Sequence, residues 1–304
     1  MTGFQFDHLQ TLLAVAEEGT FDAAARRLRL TQSAVSQRIK ALEQSAGQVL
    51  VQRSIPVLPT DAGAVLLRLA RQASLLDADA RRELRGNGAE HAAFPMALAV
   101  NADSLATWFL EAVAPLARSG GVVFDIHRED QEHTTSLLRS GAVMAAVTSN
   151  AEAVQGCSVE ALGSMHYRAV CTPGFQADHS LSPGDLAALA RAPRIDFDRR
   201  DDLQATIVRR VADSDAPAAQ TRHFIPTSSD FARAVLLGFG WGMLPEQQCS
   251  IEIEAGRLVE LAPRHHTEVR LFWQRWNLAS PLLDAVTDAV RAGARASLHE
   301  FGRA

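Results

Sequence analysis

The residues near the N-terminus that are best suited to chemistry form a polar row on one predicted helix. This helix is capped by Thr31 and continues to about Ala46, with apolar residues on its opposite side. The polar positions are Gln32, Ser33, Ser36, Gln37 and Lys40. Such side chains hydrogen-bond base edges and phosphates in the major groove of DNA, and the N–H groups behind a cap attract a phosphate. The row indicates a DNA-reading helix, although a solvated amphipathic helix has the same spacing.

Basic residues concentrate around this helix in a chain that is acidic overall. The formal net charge at pH 7 is −5, yet the segment from Asp22 to Arg53 holds six basic and two acidic residues. A local basic face attracts phosphates while the rest of the protein stays acidic. We expect Arg38 to lie near bases or phosphates, and Arg53 to contact the DNA backbone.

Polar residues that could bind a small ligand follow predicted strands in the second half of the chain. After residue 94, short apolar runs alternate with helical segments, which predicts a mostly parallel sheet with helices on both faces. In such sheets, ligands bind beyond the carboxyl ends of the strands. The candidate ligand-binding residues are Asp103, Ser104, Glu129, Asp130, Thr148, Asp198, Asp202, Thr227, Ser228 and Ser229.

These candidates suit a ligand that carries charges of both signs. Hydroxyl and N–H groups at helix starts can hold a carboxylate, and carboxylates can pair with a cation, because a buried charge is costly unless it is paired. Each group also has an ordinary alternative. Asp103 and Ser104 can simply cap a helix, Glu129 and Asp130 can be a solvated strand end, and the aspartates of segment 198–202 can form surface ion pairs.

Short helices must position the DNA-reading row. Apolar spacing predicts one helix that ends at Gly19, a second over Phe21–Leu28 capped by Thr20, and the helix that carries the row. Ala24 and Ala34 are small enough for two of these helices to cross. Residues 50–61 predict a small hairpin, or wing, after the third helix.

A long amphipathic helix is predicted over residues 62–86, ending at the breaker Gly86-Asn87-Gly88. Its apolar stripe is Leu66, Leu69, Ala73, Leu76 and Ala80. A lone helix would expose this stripe, so we expect the stripe to pack against the same helix of a second subunit.

Composition and motifs argue against several classes of protein. No apolar run is long enough to span a membrane, and residues 1–10 lack the features of a secretion signal, so we expect a cytoplasmic location. Three widely spaced cysteines do not indicate a disulfide framework or a zinc site. His166 lies near Cys157 and Cys171, but no third group is present to orient a catalytic pair. His265-His266 has no cysteine or acidic residue at a spacing that would complete a metal site. We therefore expect no catalytic site, no cofactor and no metal.

The N-terminal segment resembles the DNA-binding domain of the LysR-type transcriptional regulators. The similarity covers residues 6–63 and is carried by FDAAARRL, LTQSAVSQRIKALEQ, GQVLVQR and PTDAG. It implies an all-α winged helix-turn-helix domain, a long helix that pairs two subunits, and an α/β two-lobed effector domain resembling periplasmic binding proteins. The chain departs from the commonest pattern at Ser54-Ile55-Pro56, which affects the geometry of the wing but retains Arg53.

Later segments resemble the branch of this family that senses basic amino acids and controls their export or metabolism. They are VNADSLATWFL, HREDQEHTTSLLRSG, AAVTS, DFDRRDDLQ, PTSSDFARAVLLGFGWGMLP and LFWQRW. The resemblance implies an effector such as lysine, arginine or histidine and a double-stranded DNA operator. It also implies a homodimer or homotetramer, with RNA polymerase as a further partner.

The sequence thus predicts a regulator with three parts. They are a DNA-binding domain (1–61), a linker helix (62–88) and an effector domain (94–304), with one lobe at about 94–165 and 268–304 and the other at about 166–267. Three alternatives stay open at this point. One is the same regulator with a different metabolite, and another is an architectural DNA binder without an effector. The third is a solute-binding protein for transport, against which residues 6–63 count.

Overall fold

Three helices around a small apolar core form the N-terminal domain. The computed structural model describes residues 3–85, 93–128, 131–201, 203–209, 221–265 and 267–301. The first helices are α1 (Phe6–Glu18), α2 (Phe21–Leu28) and α3 (Gln32–Ala46). Leu12, Val35 and Leu42 are fully buried between them. All three helices agree with the sequence prediction.

Local hydrogen bonds fix where α2 and α3 begin. Thr20 and Thr31 accept hydrogen bonds from backbone N–H groups three residues later, at 3.1 and 3.2 Å, so both predicted caps are confirmed. Between the two helices, Arg29 adopts the left-handed conformation with φ 54°. The resulting tight turn sets α3 across α2, which is the helix-turn-helix arrangement.

A short hairpin follows α3, as predicted. Its strands are β1 (Val51–Gln52) and β2 (Leu58–Pro59), which pair antiparallel. The carboxylate of Glu43 on α3 accepts a hydrogen bond from the N–H of Leu50 at 3.0 Å and so ties the hairpin to the helix. On the other side, the backbone of Gly63 lies so near Leu50 that a Cβ at position 63 would be 1.9 Å from the Leu50 carbonyl oxygen. The hairpin is therefore held between two helices.

Helix α4 (Asp61–Arg85) connects the two domains and packs against both. Leu67 and Ala70 are buried in the core of the N-terminal domain, whereas Leu75 is buried in the core of the effector domain. Between these residues, Arg71 of α4 donates a hydrogen bond to the carbonyl oxygen of Gly141 in the effector domain at 3.0 Å.

The opposite side of α4 carries exposed apolar residues. Val65, Leu69, Leu76 and Leu84 are 60%, 38%, 43% and 87% exposed. The sequence prediction was wrong about Leu66, which is only 6% exposed and belongs to the N-terminal core. Helical spacing placed it at the edge of the stripe, and the neighbouring domain covers that edge.

The effector domain is built on a mixed sheet. Its strands are β3 (Phe94–Val100), β4 (Val122–Arg128), β5 (Ala145–Thr148), β6 (Cys157–Cys171), β9 (Gly242–Pro245), β10 (Val259–Glu260) and β11 (Thr267–Trp276). The order is β10-β6-β11-β5-β3-β4, with β9 also paired to β6. A second, two-stranded parallel sheet contains β7 (Arg194–Asp196) and β8 (Arg222–Phe224).

The prediction of a mostly parallel sheet was wrong for the strands that join the two lobes. β3 pairs parallel with β4 and β5, but every pairing made by β6 and β11 is antiparallel. Both strands are long and run between the lobes as a pair, so β11 returns beside β6. His166 pairs with Glu268 in this ladder, which sets the two predicted lobe boundaries opposite each other.

Helices cover the sheets and position their loops. A helix after β3 consists of α5 (Ala102–Ser104), a π-helical turn (Leu105–Phe109) and α6 (Leu110–Arg118). The remaining helices are α7 (Gln131–Ser140), α8 (Pro173–Asp178), α9 (Leu186–Arg191), α10 (Leu203–Arg209), α11 (Ser228–Leu236), α12 (Glu246–Glu254) and α13 (Pro281–Ser297). Trp108, Trp241, Trp273 and Trp276 are core residues, at most 2% exposed. Among the described residues, no helix is both long and apolar enough to cross a bilayer.

The segment after α13 docks on β6 beside the lobe boundary. His299 exchanges two backbone hydrogen bonds with Ser164, at 2.8 and 3.0 Å. Its ring stacks on His166 with 3.8 Å between centroids, and its Nε2 lies 2.7 Å from Glu246 on α12. The segment therefore links α13 of one lobe to α12 of the other.

Candidate DNA-contacting surface and effector pocket

The predicted polar row lies on the open face of α3. Ser36 is half-buried, and the other members, Gln32, Ser33, Gln37 and Lys40, are exposed. The cap residue Thr31 is exposed as well. Val35 and Ile39 point the other way and are buried. The row and the N-terminus of α3 thus share one accessible surface, as a helix that enters a DNA groove requires.

Arg38 does not lie on this surface. Its guanidinium donates a hydrogen bond to Thr11 Oγ1 at 3.4 Å and lies 3.8 Å from a carboxylate oxygen of Asp7 on α1. One residue turns a helix by about 100°, so Arg38 is rotated away from Gln37 toward α1. In this structure Arg38 is therefore placed beside α1 and apart from the row.

Part of the basic charge counted in the sequence is neutralised locally. Arg26 pairs with Asp22, and Arg27 pairs with Glu17 at 2.6 Å. Arg53 is exposed at the wing, with its guanidinium 5.9 Å from the ring centroid of Phe21. The charge available to phosphates is thus centred on α3 and the wing.

A cavity of about 720 Å³ opens between the two lobes of the effector domain. One wall comes from the carboxyl ends of β3, β4 and β5, and the other from the loop before α10 and the start of α11. Tyr167 of β6 and Val269 of β11 line it from the crossing strands. The cavity thus lies where the strand ends of both lobes face each other.

Four of the predicted ligand-binding residues line this cavity: Asp103, Thr148, Asp198 and Ser228. Ser104 is fully buried beside it. Glu129, Asp130 and Asp202 lie outside the described residues. The two lobes therefore bring together residues that are distant in sequence.

The remaining two predicted residues lie away from the cavity lining. Thr227 precedes α11 and its hydroxyl donates a hydrogen bond to Asp230 at 2.5 Å. Ser229 is exposed on the first turn of the helix. Of the predicted Thr227–Ser229 turn, only Ser228 therefore faces the ligand space.

A buried hydrogen bond joins the first lobe to a crossing strand. The hydroxyl of Tyr167 donates to Asp103 Oδ2 at 2.6 Å. Burial of the ring and the negative charges of Asp103 and Asp201 hold the pKa of the Tyr167 hydroxyl well above its usual value. Tyr167 is therefore a hydrogen-bond donor that positions Asp103, and its hydroxyl stays protonated.

Asp201 is a partly buried carboxylate that the second lobe presents to the cavity. It accepts hydrogen bonds from the N–H groups of Phe197 at 2.8 Å and Leu203 at 2.9 Å. Burial raises its pKa, the two backbone hydrogen bonds oppose that rise, and the charges of Asp196 and Asp198 add to it. A cation beside Asp201 would relieve this unfavourable environment.

Asp198 has a different local role. Its Oδ1 accepts hydrogen bonds from the N–H groups of Arg200 at 2.7 Å and Asp201 at 2.9 Å. These bonds form the turn that presents Asp201. For Asp198, these contacts are hydrogen bonds to the backbone, whereas the alternative interpretation of segment 198–202 expected surface ion pairs.

Amide oxygens add to the acceptor groups around the cavity. Asn101 Oδ1, Gln204 Oε1 and Gln248 Oε1 are buried and have no hydrogen-bond donor among the described residues. Gln248 donates through its Nε2 to Ser228 Oγ at 2.9 Å, which leaves its oxygen as the unpaired atom. The lining holds Arg128 and Arg200 as well as three aspartates, and its carboxylate and amide oxygens suit the N–H donors of a ligand.

Sequence reasoning missed Tyr167, Asp201 and Gln204 as lining residues. Tyr167 is the single tyrosine of the chain, and no motif in the sequence marks it as a ligand-binding residue. Asp201 stands beside two arginines, which suggested a surface pair. Asp201 and Gln204 lie close together in sequence at the start of α10, and this proximity is the signal that could have added Gln204 to the candidates.

His166, Glu246 and His299 form a separate cluster whose donor atoms lie within 4.8 Å of one another. The two imidazole rings are stacked at an interplanar angle of 6°. A metal ion lies in the plane of each imidazole that binds it, and two stacked planes share no such point. Glu246 is in addition paired with Arg168 at 2.6 Å. The cluster is thus an ion-pair and stacking contact.

Comparison with known proteins decides the family. Residues 6–64 match the bacterial regulatory helix-turn-helix model of the lysR family, and residues 96–295 match the LysR substrate binding domain. This chain belongs to the LysR family. The first match contains the polar row of α3 and the wing, and the second contains the described lining of the cavity. The chain is a DNA-binding transcription regulator with an effector domain.

The LysR relatives most informative here are regulators that match over nearly their whole length. The "HTH-type transcriptional regulator LysG" of Mycobacterium tuberculosis is 45% identical over 288 residues, which cover 94% of this chain and 92% of that protein. The crystal structure of ArgP from M. tuberculosis has a TM-score of 0.85 at 42% identity and covers 99% of both chains. Full-length LysG from Corynebacterium glutamicum with bound effector Arg has a TM-score of 0.77 at 38% identity, covering 97% of this chain and 99% of that one.

Proposed function

We propose that this LysR-family protein senses a basic amino acid, lysine, arginine or histidine, and controls a gene for its export or metabolism. The observation that carries the proposal is the cavity between the lobes, which presents Asp103, Asp198 and Asp201 together with unpaired amide oxygens. A relative 38% identical to this chain has a structure with arginine as its effector.

The charges of a basic amino acid match this lining. Its α-carboxylate would bind near Ser228, at the start of α11, where the N–H groups of the first turn and the helix dipole favour an anion. Its α-amino group and side-chain cation need acceptors, which the aspartates and amide oxygens supply. Glu129, Asp130 and Asp202 remain further candidates for the same role.

Effector binding is tested by titration calorimetry on the full chain. We expect wild-type protein to bind lysine or arginine, and to ignore glutamate and a neutral amino acid such as leucine. The same ligands should raise the temperature of thermal unfolding, because a ligand that binds only the native state stabilises that state. If the protein binds a neutral or acidic metabolite and does not bind lysine, arginine or histidine, the proposed effector class is wrong. The assignment as a regulator would still hold.

DNA binding is proposed to use the α3 row and the wing. Gln37→Ala should relax sequence preference at one base position, at a cost of roughly 1–3 kcal/mol, because a base contact is lost. Arg53→Ala should weaken binding to all sequences and reduce the salt dependence, because a phosphate contact is lost. Electrophoretic mobility shifts over a salt series separate the two effects. Unchanged preference in a Ser36→Ala, Gln37→Ala double variant would show that another surface reads the DNA.

The DNA-bound form is proposed to be a homodimer or homotetramer in the cytoplasm, acting with RNA polymerase and without catalysis. The exposed stripe of α4 supports subunit pairing, since a lone helix would leave it in water. An architectural DNA binder without an effector is the second candidate. It predicts no ligand-dependent change in any of these measurements.

A further inference from the structure

Two carboxylates from opposite lobes line one cavity beside the crossing strands. Asp103 lies in α5 of the first lobe, and Asp201 precedes α10 in the second. Tyr167, on the strand between the lobes, donates a hydrogen bond to Asp103, and the charges of both carboxylates raise the pKa of its hydroxyl. All three residues line the same cavity.

We propose that the side-chain cation of the effector binds between Asp103 and Asp201 as a counter-ion shared by the two lobes. The proposal rests on the proposed function and deepens it, because it names the residues that distinguish a basic effector from a neutral one.

Like charges on facing walls oppose approach of the lobes. Two carboxylates repel each other more strongly in a partly buried site than in water. A cation between them attracts both, and the two attractions outweigh the repulsion. Burial and the charges of Asp196 and Asp198 raise the pKa of Asp201, so a cation beside this carboxylate is favoured. A neutral ligand of the same shape leaves the repulsion in place.

Free acceptor capacity remains on both carboxylates. Asp103 uses Oδ2 for Tyr167, which leaves Oδ1 for the ligand. Each oxygen of Asp201 accepts one backbone hydrogen bond, and a carboxylate offers about four acceptor positions in all. Two more N–H groups can therefore bind there.

Gln204 is independent evidence that the second-lobe wall of the cavity binds a hydrogen-bond donor of the ligand. Its side chain is 1% exposed, lines the cavity and has a buried Oε1 without a hydrogen-bond partner among the described residues. An unpaired buried acceptor costs about as much as a lost hydrogen bond. Gln204 and Asp201 line the same cavity, so the amide oxygen and the carboxylate can meet the same cationic group.

The experiment compares arginine with citrulline, in which a neutral urea group replaces the guanidinium at nearly the same shape. Titration calorimetry is carried out on full-length wild type and on Asp103→Asn, Asp201→Asn and Asp178→Asn. Asp178→Asn is the matched control, since it makes the same charge change on an exposed helix of the second lobe. Thermal unfolding without ligand checks that each variant is folded.

We expect Asp103→Asn and Asp201→Asn each to lose roughly 30-fold or more in arginine affinity, the lower end of the loss on removing one partner of a buried charge pair. Citrulline affinity should change by less than about threefold, and the control should match wild type for both ligands. Equal losses for arginine and citrulline, or unchanged arginine affinity, would overturn the proposal while the basic effector stands. A wild type that binds its operator but not arginine, lysine or histidine would defeat the proposed function and this inference together.

Discussion

Replacing Leu69 and Leu76 together by glutamate should yield a folded monomer that binds its operator at least about 100-fold more weakly. Both side chains lie on the exposed stripe of α4, 38% and 43% exposed, and contribute little to the core of their own chain. If the stripe pairs two subunits, four added carboxylates would face each other across the contact. A dimer that engages two half-sites gains roughly 10²–10⁴ in avidity over one domain, and the variant loses that gain.

Light scattering at micromolar concentration and operator titration measure the two parts of this prediction. The control is Leu69→Met with Leu76→Met, which keeps the stripe apolar and should retain both assembly and affinity. A glutamate variant that stays dimeric, or a monomer that binds the operator as tightly as wild type, would show that α4 does not join the subunits.

Asp196→Ala should destabilise the second lobe by roughly 3–5 kcal/mol, because it leaves a buried arginine without its partner. The Asp196 side chain is fully buried and pairs with Arg222 Nε at 2.5 Å. Arg194, whose side chain is 8% exposed, has its Nε 3.1 Å from Oδ1 and donates its hydrogen bond to Oδ2 at 3.3 Å.

Urea unfolding followed by fluorescence measures the change in free energy of unfolding. Asp288→Ala is the comparison, since it breaks a pair with Arg291 in which the side chains are 74% and 44% exposed. Exposed pairs contribute about 0–1 kcal/mol, so this variant should resemble wild type. Equal stability of the two variants would mean that the Asp196 cluster is not structurally important.

The N-terminal domain was predictable because short-range chemistry determines it. Caps three residues from their partners, apolar spacing within single helices and a tight turn lie within 50 residues of sequence. The orientation of Arg38 is the exception, and its contact with DNA stays a prediction. Its orientation depends on Asp7 and Thr11 of another helix, which helical spacing alone does not place.

The sheet and the site depended on contacts that periodicity does not encode. Antiparallel pairing of β6 with β11 joins segments about 100 residues apart, so alternating strands and helices suggested a parallel sheet instead. The same pairing carries Tyr167 into the cavity. Asp201 was discounted beside its arginines, since only the folded loop shows its carboxylate turned inward onto backbone N–H groups.

The docked C-terminal segment has a practical consequence for handling this protein. His299 and Ser164 form a β-bridge at the junction of the lobes, and a Cβ at Gly163 would lie 2.7 Å from the His299 carbonyl oxygen. A purification tag or fluorescent fusion attached a few residues beyond His299 would lie close to this bridge and could strain the junction of the lobes. Affinities are therefore best measured after such an attachment has been cleaved off.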